Sequence, residues 1–153
     1  MKLKASLFVV MVLSSCISAQ TTKQLPLTLT ISGPQTVAVG GSVIIQPRLT
    51  NVSNNKLTVW SGREYTVIIR DESGKNVNPK SGDWDGSSGV GVIEPGEERS
   101  DFSIEIGWRF NHVPGKYVVQ LVRRIDYDDP KSPSIKSNEI AITVVPAPVD
   151  GKK

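Results

Sequence analysis

The chain has 153 residues, 38% hydrophobic and 22% charged, a balance that fits one globular domain and excludes collagen, multi-span membrane and intrinsically disordered classes. Its 18 Lys and Arg outnumber 15 Asp and Glu, but Lys2 and Lys4 stand in an apolar leader, and without them 16 basic groups face 15 acidic ones. Phosphate backbones call for a basic surface, so nucleic acid is not an expected partner.

Residues 1–19 read as a signal peptide: two lysines, an apolar run over 5–13, then small residues. As a helix that run is about 14 Å long, short of the roughly 30 Å hydrocarbon core, so the leader is not a permanent transmembrane helix. Two cleavage sites compete. Leu13-Ser14-Ser15-Cys16 resembles the lipobox of bacterial lipoproteins, in which the cysteine is acylated, and Ile17-Ser18-Ala19 before Gln20 resembles an ordinary secretory site. The apolar run ends directly against the first of these, which favours lipidation at Cys16 and a membrane attachment through that anchor alone. Either cut predicts export, to the cell envelope or as a free periplasmic or secreted protein. Cys16 is also the only cysteine, so the mature domain has no intramolecular disulfide and no thiolate nucleophile or metal ligand.

After a linker at 20–24, period-2 alternation recurs through 25–146, and no window carries the periodicity of an amphipathic helix. Strands are expected at 25–31, 43–50, 57–60, 64–70, 101–110, 116–124 and 139–144. In 64–70 the inward residues are Tyr65, Val67 and Ile69, and in 116–124 they are Tyr117, Val119 and Leu121. The clearest alternation is in 101–110, with Phe102, Ile104, Ile106, Trp108 and Phe110 inward and Asp101, Ser103, Glu105, Gly107 and Arg109 outward. Pro47 cannot donate to a ladder, so 43–50 is expected to bulge there or to lie at an edge. Gly- and Pro-rich breakers separate the strands. The expectation is an all-β fold, an Ig-like antiparallel β-sandwich of about seven strands, followed by a disordered tail at 147–153.

The turn residues also carry a family resemblance. Asn51-Val52-Ser53, Ser61-Gly62-Arg63-Glu64-Tyr65, Asp71-Glu72-Ser73-Gly74-Lys75, Glu94-Pro95-Gly96-Glu97 and Pro114-Gly115-Lys116-Tyr117 follow in the order seen in the BsuPI-type intracellular proteinase inhibitor family. The resemblance covers residues 49–121 and implies an Ig-like sandwich. It carries over no inhibitory residue, and the export signal departs from the family's founding members.

Catalytic chemistry finds little to use. The sole histidine, His112, sits in a Pro-Gly turn with no serine elbow in the chain. Asp83, Asp85 and Glu94 are spaced as in a calcium loop, but Ser88 replaces the glycine of the sharp turn and Glu94 opens a strand-entry turn. No metal and no cofactor is therefore expected. Asn51-Val52-Ser53 matches the glycosylation sequon, but in a chain with a bacterial-type leader it reads as an Asn-rich turn. Two loops remain as recognition candidates, because a rigid sandwich positions its end loops for binding. They are 81–91, with Asp83, Trp84 and Asp85, and 126–137, with Asp126, Tyr127 and Asp128. Trp60 and Trp108 read as core or sheet-face residues. The function expected is a non-catalytic exported module that binds another protein or a cell-surface polymer. The alternatives are a proteinase inhibitor inserting one of the two loops into a protease, and a carbohydrate-binding module using Trp84.

Overall fold

A computed structural model describes residues 25–61, 65–78, 89–126 and 129–148. Eleven strands lie among them: β1 (Leu27–Ser32), β2 (Thr36–Ala38), β3 (Ile44–Asn51), β4 (Leu57–Ser61), β5 (Tyr65–Arg70), β6 (Gly89–Ile93), β7 (Glu98–Ser100), β8 (Ile104–Glu105), β9 (Gly115–Arg124), β10 (Ser134–Lys136) and β11 (Ile140–Val145). In one sheet β3 lies between β1 and the pair β7 and β8. In the other, β9 pairs with β5 on one side and with β10 and β11 on the other, and β2 closes the edge. β4 and β6 form a separate two-stranded ribbon. The pairing is antiparallel except where β2 runs parallel to β11.

Alternating side chains build the core between the sheets, as a period-2 backbone requires. Leu27, Leu29 and Ile31 of β1 are buried, as are Ile45 and Leu49 of β3. From the other sheet come Tyr65, Val67 and Ile69 of β5, Tyr117, Val119 and Leu121 of β9, and Ile142 and Val144 of β11. The inward faces expected for 64–70 and 116–124 are thus the observed ones, and the all-β sandwich stands.

The expected strand 101–110 does not form as one piece. Only Ile104–Glu105 is strand, and Gly107–Arg109 is a 3-10 turn. Ile104, Ile106 and Phe110 are buried as expected, but Phe102 is 48% and Trp108 63% exposed. Pro47 explains the first departure. β3 is not an edge strand, and Pro47 lies where its partner changes from β7 to β8. Between Ser100 opposite Arg48 and Ile104 opposite Ile45, three residues face two. The amide of Asp101 donates to the Pro47 carbonyl at 3.0 Å, while Pro47 has no N–H to return. The partner chain takes up the mismatch as a bulge, which changes the parity of the side chains. Phe102 turns outward and the Asp101 side chain turns in. At Trp108 the tight turn ends the alternation.

Buried polar groups stitch the connections. Asn51 is fully buried, donates from Nδ2 to the carbonyls of Asn55 and Ile93 at 2.7 and 2.9 Å, and accepts from Ser53. The sequon amide is therefore a structural tie with its donors in use. Gly96 turns the chain between β6 and β7 at φ 76°, where a side chain would be strained.

Glu105 performs a similar task at the sandwich's opposite corner. It accepts from the Val43 and Gly107 amides at 3.1 and 2.7 Å and from the Ser42 hydroxyl. Burial pushes its carboxyl up, but the hydrogen bonds outweigh it and hold the group below its ordinary 4.5. A depressed folded value means that this stabilisation is complete above pH 4.5 and is lost as pH falls through the folded value. Urea melts over a pH series should therefore show Glu105→Gln less stable than wild type near neutrality, with the gap closing only below that point. A gap independent of pH would contradict the assignment.

Candidate functional site

The polar centre of the molecule is a buried cluster built on Arg123. This residue follows Tyr117, Val119 and Leu121 in the same phase of β9, so the strand carries its guanidinium inward. Nη1 lies 3.1 Å from Asp101 Oδ2, and the two side chains are 0% and 1% exposed. The Tyr65 hydroxyl donates to the same Oδ2 at 2.7 Å and sits 3.2 Å from Arg123 Nη1. Nη2 donates to the Trp60 carbonyl. Burial pushes the Tyr65 phenol far above its ordinary range, so it remains a neutral donor. One ion pair thereby joins β9, β5, β4 and the bulge after β7.

Beside this cluster β6 and β7 diverge, β6 to pair with β4 and β7 to pair with β3. The gap is a cleft of about 280 Å³ lined by Ser61, Gly89, Val90, Arg99, Ser100, Asp101 and Phe102. Val90 is 57% exposed and Phe102 48%. Trp60, 37% exposed, sits opposite Val90 across the ribbon, and Val92 continues the same face. Val90 and Phe102 are thus the apolar part of the lining, with Arg99 in the wall, and Trp60 and Val92 extend the apolar surface along the outer face of the ribbon. Gly91 makes room for that arginine, because a Cβ there would collide with the guanidinium.

Of the two loops singled out from sequence, the described residues Gly89 and Asp126 lie at this end. Gly89, the last segment of the 81–91 loop to pair, faces Ser61, and Asp126 follows the end of β9 that holds Arg123. Asp126 is exposed, with its amide donating to the Ser132 hydroxyl at 2.8 Å. Asp83, Trp84, Asp85, Tyr127, Asp128 and Cys16 lie outside the described residues, as do the whole leader and linker, 1–24, and residues 149–153 of the tail. Glu94 of the calcium-like spacing is ion-paired with Lys56 at 2.8 Å, and among the described residues no three metal-ligating side chains gather. His112 is an exposed turn residue whose Nε2 lies 3.0 Å from the Trp108 carbonyl. Trp108 is a surface residue rather than a core one, stacked by the Arg109 guanidinium 4.5 Å from its ring centre. Sequence reading missed Arg99, Val90 and Phe102 as surface residues of a cleft. Arg123 carries the inward series Tyr117, Val119, Leu121 one step further along β9, so its burial follows from the strand's phase.

No protein-family model matches the chain, and no curated protein does. Among solved structures it is similar to a β-glucosidase from Listeria innocua in complex with isofagomine, at 16% identity and TM-score 0.46 over 77% of this chain and 16% of that one. It is also similar to the CARDB domain of a Pyrococcus furiosus protein, at 15% identity and TM-score 0.46 over 78% of this chain and 94% of that one. The chain thus spans about one-sixth of the β-glucosidase's length.

Removing one partner of a buried ion pair strands the other charge, at a cost of about 3–5 kcal/mol. Asp101→Ala is expected to lose stability on that scale in urea denaturation, and Tyr65→Phe only about 1 kcal/mol, one hydrogen bond. Equal, small losses in the two variants would show that the pair contributes little.

Proposed function

We propose that the chain is an exported, non-catalytic Ig-like module that binds another protein at the end of the sandwich bearing the β4–β6 ribbon. The observation that carries this reading is the exposed apolar ribbon face of Trp60, Val90 and Val92, next to a cleft that Val90 and Phe102 line, set on the buried Arg123–Asp101–Tyr65 cluster. Scattered surface apolar residues need no explanation, but three on one ribbon face beside a concavity with an apolar lining mark an interaction site. The ribbon and the ion pair below it hold that site rigid, which lowers the ordering cost of binding. Residues Asp83, Trp84, Asp85, Asp126, Tyr127 and Asp128 would extend the contact from the loops 81–91 and 126–137.

The turn motifs support a second reading, an inhibitor of the kind they resemble, with one of the loops 81–91 and 126–137 entering a protease cleft. Export places either function in the envelope or outside the cell, with acylated Cys16 as the anchor if the lipobox is used. Mature protein, wild type and Trp60→Ser, should be tested against a random peptide library, a glycan panel and secreted serine proteases. The module reading expects peptide or protein ligands whose affinity falls about tenfold in Trp60→Ser, as for an interface anchor, with melting unchanged. Ligands indifferent to both Trp60→Ser and Phe102→Ser would overturn the site. Protease inhibition at micromolar protein would select the second reading.

A further inference from the structure

We infer that the cleft beside β6 takes an extended peptide bearing a carboxylate, its backbone pairing with the open edge of β6 and its carboxylate meeting Arg99. The inference rests on the binding-module reading and specifies its ligand.

The first ground is the strand edge. Among the described residues β6 pairs with β4 alone. On its other side the Val92 carbonyl is met by a side chain, Arg99 Nη1, at a long 3.4 Å. An edge of this kind presents backbone donors and acceptors already in strand geometry, ready to accept another strand. Gly89, Val90, Gly91, Val92 and Ile93 include no proline and no charge, the usual devices that block such pairing. Gly89 has open space where a side chain would stand and leaves the backbone there free for close approach.

The second ground is charge. Arg48 pairs with Glu98, Lys56 with Glu94, Arg70 with Glu139, and Arg123 with Asp101. Arg99 has no ion pair among the described residues, and it lines the cleft. Its guanidinium fills the space that Gly91 leaves under the ribbon, so its position is set before a ligand arrives. A planar guanidinium so held suits a carboxylate, which it can grip through two parallel hydrogen bonds. The Ser61 and Ser100 hydroxyls in the same wall can donate to the same group, and Val90 and Phe102 flank it with apolar surface. An open strand edge is read by another backbone, which favours a peptide over an acidic polysaccharide.

The full mature chain can be panned against a random dodecapeptide library on phage, and the selected sequences titrated as free peptides by fluorescence anisotropy. The expected peptides carry an acidic residue beside a β-branched or aromatic one. Changing that acid to its amide, or Arg99→Gln in the protein, should weaken binding about tenfold, as expected for one charge-assisted contact. Arg99→Lys should recover part of the loss, and N-methylation of alternate peptide amides should abolish binding. Free-acid and C-terminally amidated peptides separate a C-terminal carboxylate from a side-chain one. If Trp60→Ser weakens binding while Arg99→Gln, with unchanged melting, does not, the carboxylate inference falls and the module reading stands. If polygalacturonate binds and no peptide does, the inference falls to a polysaccharide ligand. If peptides, glycans and proteases all fail, both readings fall.

Discussion

Arg123 carries a guanidinium into the interior of a β-sandwich, where an ion without a partner would be prohibitively costly. Asp101 supplies the opposite charge, and it reaches the interior only because the chain bulges opposite Pro47. Tyr65 completes the cluster from β5 and the Trp60 carbonyl from β4. The consequence is architectural. The core residues hold the two main sheets together by area, without direction, whereas this pair fixes where the β4–β6 ribbon sits relative to them. A buried pair of this kind is weak evidence for net stability, since well-packed apolar groups often do as well. Its role here is positional, because Asp101 itself lines the cleft and Arg123 ties it to β5 and to the ribbon strand β4.

The cleft follows from a topological divergence. β6 and β7 leave the same turn at Gly96 and then join different partners, so their near ends stay together and their far ends separate. Gly89 adds no side chain to that opening, and Arg99 lies in the space that Gly91 vacates. Apolar residues gather on the ribbon beside it because, among the described residues, no second layer covers that face. Fold and candidate site are thus two results of one strand arrangement, with the ion pair as its fixed point.

Much of this was legible in the sequence. The alternations Tyr65, Val67, Ile69 and Tyr117, Val119, Leu121 identify strands and their inward faces without further information. Arg123 extends the second series by one step, so its burial was legible too, but charge argued for solvent and hid it. The bulge was half legible. Pro47 announces an interrupted ladder, but which strand yields depends on the partner, and that partner is more than fifty residues away in sequence. Phe102 therefore changed sides with no local sign of it. β2, β7, β8 and β10 span two or three residues each, too few for periodicity to register. β6 was read as loop because glycine alternates with valine in it, and only its pairing with β4 makes it a strand. The cleft depends on that pairing, which is why the loops were named as recognition elements and the residues between them were not.

The central claim is that the buried Arg123–Asp101 pair positions the ribbon and the cleft. Native-state hydrogen exchange on Asp101→Asn tests it most directly, because the substitution keeps the side chain's size and removes its charge. The account predicts that amides of residues 57–61, 89–93 and 99–102 lose protection while those of β1 and β11 keep theirs. A uniform loss across all strands, or none in the ribbon, would contradict it.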